Sequence, residues 1–215
     1  MALLHYILSP SSEALYFIDV EFEISGIKTQ KIKLQFPSWR PGRYESGNFA
    51  KNLRNFRITD KNNEPVVFRK ISKDCWEVEN GNKEELKVNY QYYAADLNAG
   101  SSYSNGGMLY VNPVNCCIYI PERVEENCSL KLNIPSDYKI ASGKNFGNNL
   151  AVFTDFHELA DSPFICSKEI IHFDYFVQDY HFHIWIKGEC NPDIEKIRRD
   201  FSSFSLRQIE AFGLD

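Results

Sequence analysis

His181 and His183 are the two residues of this sequence whose type and spacing best fit metal chemistry. Alternate residues of a β-strand lie on the same face of a sheet, so both imidazoles would point the same way. Other metal-binding side chains lie close by in sequence: His172, Asp174, Asp179 and Cys190. Zinc needs three or four converging ligands, and two on one strand make only half of a site. We therefore interpret the histidines as a solvent-facing pair beside Trp185 and predict no metal site here.

The six cysteines raise a second possibility, nucleophilic catalysis. Cys116 and Cys117 are adjacent, and in a strand their side chains would point to opposite faces. Nothing near them in sequence supplies a base or lowers a thiol pKa. None of the six cysteines forms a C-x-x-C pair. The pattern predicts reduced, mostly buried thiols in a cytoplasmic protein.

The sequence lacks the motifs that mark self-contained catalytic sites. It contains no H-E-x-x-H, no G-x-S-x-G, no phosphate-binding glycine loop and no dinucleotide fingerprint. We therefore predict no catalytic residue in this chain. The chain would instead assist a reaction whose catalytic residues lie in another domain.

The segment 36–49 carries unusually large side chains on a loop. Pro37 ends an alternating strand, because proline removes a ladder hydrogen bond. The Pro41-Gly42 pair then predicts a turn. Around it lie four residues that we take as candidates for an interface: Trp39, Arg40, Arg43 and Tyr44. The alternative interpretation is that Trp39 and Tyr44 fill the end of a β core.

Alternation of apolar and polar residues recurs along most of the chain and predicts ten or more strands. Residues 18–24 alternate, and the Ser25-Gly26 turn then predicts a hairpin with the strand that ends at Phe36. One apolar and one polar face per strand is typical of antiparallel sheets with one wet side. We predict an all-β fold of large twisted antiparallel sheets, sandwiched or saddle-shaped, with one C-terminal helix.

The C-terminal helix is predicted from its end signals. Asn191 can cap it, Pro192 suits the first helical position, and Asp193 favours the positive end of the helix dipole. Gly213 supplies the stop. Serines between residues 202 and 205 are expected to break the helix in two. We predict a β domain at 1–190 and a helical segment at 191–215.

Composition excludes two classes of partner. The formal charge of −5 argues against nucleic acid, because phosphate binding needs a basic surface. No apolar run approaches the roughly 20 residues that span a bilayer, so no membrane is predicted. The N-terminus has no basic region or cleavage site typical of a signal peptide.

Four motifs in a fixed order suggest a family. W-x-P-G-x-Y begins at Trp39 and is followed by F-A-x-N-L-x-x-F at 49–56, then by Asp96-Leu97, and finally by L-x-D-S-P at 159–163. This arrangement resembles the N-terminal domain of the glycyl-aminopeptidase-type zinc metallopeptidases that also carry a PDZ domain. The resemblance runs over nearly the whole chain.

The resemblance implies an all-β domain followed by a thermolysin-like catalytic domain, which binds zinc through H-E-x-x-H and a later glutamate, and then by a PDZ domain. The zinc ligands would lie beyond Asp215, so the resemblance implies no cofactor in this chain. The helical segment would lead towards that catalytic domain. The implied partners are the chain's own catalytic domain and, through the whole protein, a peptide substrate.

In the family, the loops that follow the Asp-Leu pair face the substrate cleft. In this chain those loops correspond to residues 96–113. The resemblance makes three residues candidates for substrate contact: Tyr103, Asn105 and Asn112. Family members typically have an arginine soon after Asp-Leu and F-N-G near Asn112. Ala99-Gly100 and Val111-Asn112-Pro113 stand there instead, which argues against carrying over a preference for N-terminal glycine. The alternative is a mobile polar loop without substrate contact.

Two functions are therefore considered. The first is a non-catalytic domain of a zinc aminopeptidase-like protease that shapes the substrate cleft and packs on the catalytic domain, which predicts exposed apolar surface. The second is a free-standing β-sandwich module that binds peptide or carbohydrate, which predicts aromatic loops converging on one concave surface.

Overall fold

The computed structural model describes residues 3–40 and 42–213. Their strands are β1 (Leu4–Pro10), β2 (Phe17–Ser25), β3 (Lys31–Gln35), β4 (Leu53–Asp60), β5 (Phe68–Lys70), β6 (Cys75–Glu79), β7 (Glu85–Tyr93), β8 (Tyr103–Asn105), β9 (Met108–Val111), β10 (Cys128–Leu132), β11 (Lys139–Ser142), β12 (Leu150–Phe153), β13 (Phe164–Ser167), β14 (Ile170–Val177) and β15 (Tyr180–Lys187). The α-helices are α1 (Pro113–Cys116), α2 (Phe156–Ala160) and α3 (Ile194–Phe212), and 3-10 turns cover Phe49–Asn52 and Pro121–Arg123. The prediction of a mostly β fold with a C-terminal helix is confirmed.

The chain divides into two compact units, Met1–Cys166 and Ser167–Asp215. The first unit contains a six-stranded sheet in the order β12-β10-β1-β2-β7-β4, a three-stranded sheet β3-β6-β5 and a four-stranded sheet β11-β13-β9-β8. Neighbouring strands of the six-stranded sheet are antiparallel except for β1 and β10, which run parallel.

One hydrophobic core lies between the sheets of the first unit. Tyr6 and Phe22, on neighbouring strands of the six-stranded sheet, stack with ring centroids 4.2 Å apart. Phe56 on β4 stacks on Trp76 of the three-stranded sheet at 4.9 Å. Contacts of this kind join the two layers, because each sheet buries one face of alternating apolar residues.

The predicted hairpin between residues 18–24 and the strand ending at Phe36 is wrong. β2 pairs with β1 and β7, whereas β3 pairs with β6 in a different sheet. After β2, Gly26 adopts a φ of 70°, and the Ile27 amide donates to the Glu84 carbonyl at 3.2 Å. The connection therefore carries the chain from one layer to the other.

Two buried tyrosines hold the segment that follows α1. The Tyr6 hydroxyl donates to the Ile118 carbonyl at 2.8 Å. The Tyr90 hydroxyl donates to the Cys116 carbonyl at 2.6 Å and accepts from the Ile118 amide at 3.1 Å. Cys116 ends a helix and both it and Cys117 are buried, so the two-faced strand considered for these cysteines does not occur.

The second unit consists of the β14–β15 hairpin and α3. Tyr175 and Val177 on the hairpin and Ile209 on the helix are buried together, with Phe182, Ile184 and Leu206 packed against them. The sequence analysis placed the boundary between the β domain and the helical segment after residue 190. In the structure, these contacts group the β14–β15 hairpin with α3. No helix in the described part of the chain has the length and apolar character to cross a bilayer.

The start of α3 differs from the sequence prediction. Asp193 is the N-cap, and its carboxylate accepts a hydrogen bond from the Lys196 amide at 3.0 Å. Asn191 and Pro192 therefore precede the helix. The predicted stop is confirmed, since Gly213 has a φ of 61°. The helix does not break at its serines, because Ser205 is buried and its hydroxyl bonds the Tyr175 hydroxyl at 3.0 Å.

Replacing the N-cap tests this assignment. Asp193→Ala is expected to destabilise α3 by about 1 kcal/mol, because a first-turn amide loses its acceptor. Hydrogen-exchange protection of α3 amides should fall by about fivefold. Asn191→Ala is the matched control and should leave protection unchanged. The reverse pattern would show that the sequence-based cap is correct.

Candidate functional site

The predicted turn at the centre of segment 36–49 is confirmed. Gly42 has a φ of 81°, and the Arg43 amide donates to the Arg40 carbonyl at 3.3 Å. A positive φ at the third position of a turn is the conformation that glycine adopts without strain. Pro41, the other half of the predicted pair, lies outside the described residues.

The aromatic residues of this loop face solvent. Trp39 is 53% exposed and Tyr44 is fully exposed, while the Trp39 indole donates to the Arg43 carbonyl across the turn. The interpretation that they fill the end of the core is wrong. Phe36 and Phe49, which flank the turn, are the buried residues instead. The turn thus projects two large aromatic side chains from a well-anchored base.

A second loop lies against this one. The Arg40 guanidinium contacts Gly100, where any Cβ would overlap Nη2 and lie 3.1 Å from Cζ. The Arg40 Nε is buried and has no hydrogen-bond partner among the described residues. The segment after Asp96-Leu97 and the Trp39–Tyr44 loop are therefore in contact through Arg40.

Tyr103 and Asn105, two of the predicted substrate-facing residues, lie half-buried on β8. The Asn105 amide donates to the Tyr103 hydroxyl at 3.1 Å, and its oxygen accepts from the Gly107 amide at 2.9 Å. The Tyr103 ring also contacts the Tyr16 ring at a centroid distance of 5.9 Å. This arrangement fixes a tight β8–β9 connection, so the two polar side chains have defined positions.

Asn112, the third of these residues, is buried. Its amide nitrogen donates to the carbonyls of Ser101 and Ala99, the latter at 3.5 Å, and to the Tyr110 hydroxyl at 2.9 Å. These bonds use the amide nitrogen of Asn112 as a donor within the protein, so the side chain helps to fix the conformation of the 99–101 loop. Its place as a residue that contacts substrate stays a prediction.

Asn115 is a residue that the sequence analysis missed. It is 1% exposed, and its amide donates to the Gly100 carbonyl at 3.1 Å. Its side-chain oxygen has no hydrogen-bond partner among the described residues. An isolated asparagine in a four-residue helix gives no sequence signal. Together with Asn112 it holds the 99–101 loop in one conformation.

Three of the buried cysteines have thiol pKa values that disfavour nucleophilic chemistry. Burial raises the pKa of Cys128 and of Cys166 to about 12. The neighbouring thiol of Cys116 and burial raise the pKa of Cys117. A thiol with a raised pKa is a poor nucleophile, because the thiolate is the reactive form. Cys190 is the exposed cysteine of the six.

The segment that leads into the L-x-D-S-P motif forms α2, and side-chain bonds fix both ends of this helix. Asp155 caps the helix by accepting from the Glu158 amide at 2.7 Å. The Lys144 ammonium at 2.5 Å and the Thr154 amide at 2.7 Å lower the pKa of the Glu158 carboxyl to about 2. The Ser162 hydroxyl donates to the Glu158 carbonyl at 2.6 Å and so closes the helix end.

The histidine pair belongs to a larger group in the second unit. Ligand atoms of Asp174, His181 and His183 all lie within 4.8 Å of one another. His172 joins them through a 3.0 Å contact between its Nε2 and the Nδ1 of His183. Asp179 and Cys190, the other candidates, are not in this group.

Fold and surface define a β domain that presents aromatic and amide side chains on loops. A profile described as the Peptidase M61 N-terminal domain matches residues 5–168. The chain belongs to this family. The predicted resemblance to the N-terminal domain of a zinc metallopeptidase is therefore confirmed.

Two solved structures show how far the likeness extends. An aminopeptidase N family protein from Idiomarina loihiensis matches with a TM-score of 0.89 and 20% identity, over 98% of this chain and 37% of that chain. An M1 zinc metallopeptidase from Deinococcus radiodurans matches with a TM-score of 0.40 and 14% identity, over 91% of this chain and 50% of that one. At 20% identity, the likeness to the Idiomarina protein shows a shared fold and nothing beyond it. No curated protein sequence matches the chain.

Proposed function

We propose that this chain is the non-catalytic N-terminal domain of a zinc-dependent aminopeptidase-like protease, where it packs on the catalytic domain and forms one wall of the substrate cleft. Family membership and the length of the Idiomarina relative support a larger parent protein. The zinc, its ligands and the general base then belong to the catalytic domain. A PDZ domain in the parent and a cytoplasmic location are parts of the same proposal.

The observation that carries the proposal is the exposed aromatic pair on the Trp39–Tyr44 loop, which contacts a second loop. Trp39 and Tyr44 expose large rings on a turn anchored by buried Phe36 and Phe49, and Arg40 of the same turn contacts Gly100. Exposed aromatic side chains on a rigid base are typical anchors of protein interfaces. Arg40 and Arg43 add donors that suit carbonyls or carboxylates at the edge of such a contact.

The second loop supplies the polar groups of the proposed cleft wall. Tyr103 and Asn105 offer a hydroxyl and an amide that can bond the amine or carbonyl groups of a peptide. Asn112 and Asn115 stabilise the loop from beneath through the bonds to residues 99–101. A fixed loop loses little conformational entropy when a substrate binds, which favours recognition.

The alternative binding module has less support. A cavity of about 310 Å³ lies on the open face of the six-stranded sheet and is lined mainly by polar side chains, among them Asp19, Glu21 and Gln91. Neither Trp39 nor Tyr44 lines it. This cavity therefore does not show the convergence of aromatic loops on one concave surface that the alternative predicts.

The coding sequence downstream of residue 215 gives the first test. We expect H-E-x-x-H within about a hundred residues, and a stop codon directly after residue 215 would overturn the proposal. The 215-residue chain alone should release no amino acid from peptides with zinc, whereas the full-length protein should. Zinc-dependent hydrolysis by the chain alone would contradict its non-catalytic role.

A double variant tests the packing role in the full-length protein. Trp39→Ser combined with Tyr44→Ser should reduce peptidase activity by about tenfold or more and increase proteolytic cleavage after residue 213. Val67→Ser is the matched control, because Val67 is 71% exposed on the same unit and lies outside both loops. Unchanged activity and proteolysis in the double variant would overturn the docking role of this loop.

A further inference from the structure

The outer face of the β14–β15 hairpin concentrates side chains that bind metals. The two strands pair antiparallel, with Asp174 opposite His183 and His172 opposite Trp185. Residues two apart on a strand share a face, which adds His181. Three of the five histidines of the chain therefore lie with one carboxylate on a single face of a two-stranded sheet.

The distances within this group suit a single ion. His181 Nε2 lies 2.8 Å from Asp174 Oδ2, and one ligand atom from each of Asp174, His181 and His183 lies within 4.8 Å of the others. Two ligands with 2.0–2.1 Å bonds to one tetrahedral ion are about 3.3 Å apart. The ligand atoms must come closer by up to about 1.5 Å, a movement that the exposed side chains of His181 and His183 can make by rotation.

We propose that Asp174, His181 and His183 form a binding site for a divalent transition-metal ion, with zinc as the ion best matched to the site. Imidazole nitrogen and carboxylate oxygen are ligands that zinc accepts, and the set differs from the all-oxygen sites of calcium or magnesium. Three protein ligands leave a fourth position for water, which the solvent exposure of this face permits.

His172 acts as the positioning residue of the site. Its Nε2 contacts the Nδ1 of His183 at 3.0 Å, and its ring stacks on Trp185 at a centroid distance of 3.8 Å. A hydrogen bond to the second ring nitrogen of a ligating histidine fixes the tautomer and the orientation of the ring. The indole in turn limits the rotation of His172.

The opposite face of the hairpin keeps the ligands in register. Tyr175 and Val177 are buried against Ile209 of α3, so a slip of one residue would expose this apolar face. Arg198 of α3 donates to the Asp174 backbone carbonyl at 3.0 Å, and its Nη2 lies 4.0 Å from Asp174 Oδ1. The Oδ2 atom, on the His181 side, is then the oxygen placed for the ion.

Zinc titration of the 215-residue chain without a histidine tag tests the proposal. Calorimetry at neutral pH should show one zinc ion per chain with micromolar affinity. His181→Asn, His183→Asn and Asp174→Asn should each weaken binding by about tenfold or more, and His172→Asn should weaken it less. His157→Asn is the matched control, because His157 is an exposed histidine of the first unit. Equal affinity in all variants, or no binding at millimolar zinc, would overturn the site.

A spectroscopic readout locates the ion without relying on variants of the ligands. Bound copper(II) quenches nearby tryptophan fluorescence, and Trp185 contacts the ligand group through His172. Copper should quench part of the emission of the parent chain. Trp185→Phe should remove that quenched part while calorimetry still detects binding. Quenching that persists in Trp185→Phe would place the ion elsewhere and contradict the proposal.

Discussion

Phe36→Ala is expected to lower the free energy of unfolding of the first unit by about 3–5 kcal/mol. Phe36 is completely buried and follows directly on β3. Its ring lies 5.7 Å from the ring of Tyr90 and 6.3 Å from those of Trp76 and Tyr92. The side chain therefore joins the three-stranded sheet to the six-stranded sheet.

The size of this effect follows from the rigidity of its neighbours. Three aromatic rings on two different sheets cannot all move inward to fill the space, so the cavity would persist and add to the lost transfer free energy. Thermal unfolding should shift down by roughly 6–20 °C for a unit of this size. Urea unfolding followed by circular dichroism gives the free energy directly.

Tyr44→Ala is the matched control for Phe36→Ala. Tyr44 belongs to the same segment and is also aromatic, but it is fully exposed, so its removal should change stability by no more than about 0.5 kcal/mol. A loss from Tyr44→Ala as large as that from Phe36→Ala would mean that the loop aromatics contribute to the core. A loss below about 1 kcal/mol from Phe36→Ala would contradict its position between the sheets.

The sequence predicts individual strands well because alternation reflects burial of one face. In β2 the apolar residues are buried and the alternate polar residues are partly exposed, as predicted for residues 18–24. The described part of the chain contains fifteen strands, where ten or more were predicted. Alternation does not reveal which strands pair. β2 and β3 both face the same core from opposite layers, so each has the pattern that a hairpin would also give.

The candidate sites were predictable to different degrees. The turn at Gly42 follows from local backbone preference, and the exposure of Tyr44 depends on tertiary packing that a short motif does not encode. Asp193 caps α3 in place of the predicted Asn191, because both residue types are good caps and the sequence pattern does not distinguish between them.

The histidine group shows the same limit. The i, i+2 spacing of His181 and His183 is visible in the sequence. The approach of Asp174 and His172 depends on the register of β14 and β15, in which Asp174 lies directly opposite His183. Register is fixed by the turn and by the buried face, so it becomes visible only in the folded hairpin.

Tyr90→Phe is expected to destabilise the first unit by about 2–4 kcal/mol, although it removes only one oxygen atom. The hydroxyl serves two buried backbone groups, the Cys116 carbonyl at 2.6 Å and the Ile118 amide at 3.1 Å. Each group left without a partner away from water costs about 1–3 kcal/mol. Urea unfolding measures the difference.

Tyr92→Phe is the control for this substitution. Tyr92 lies two residues further along β7 on the same buried face, but its hydroxyl accepts a single bond at 3.1 Å from the side-chain amide of Asn52. Asn52 is partly exposed and can bond water instead, so the loss should be about 1 kcal/mol or less. Equal losses from the two variants would show that the backbone groups near residue 117 find other partners.

The fall in the free energy of unfolding at alkaline pH gives a second test of the burial of the Tyr90 hydroxyl. Burial raises the pKa of Tyr90 well above its usual value, whereas the pKa of an unfolded tyrosine is about 10. The unfolded chain therefore loses this proton first, and the stability that Tyr90 contributes below about pH 10 is lost as the pH rises further. Tyr90→Phe should make the decline shallower by up to about 1.4 kcal/mol per pH unit. An unchanged slope would mean that the hydroxyl ionises equally in both states, which would contradict its burial between the sheets.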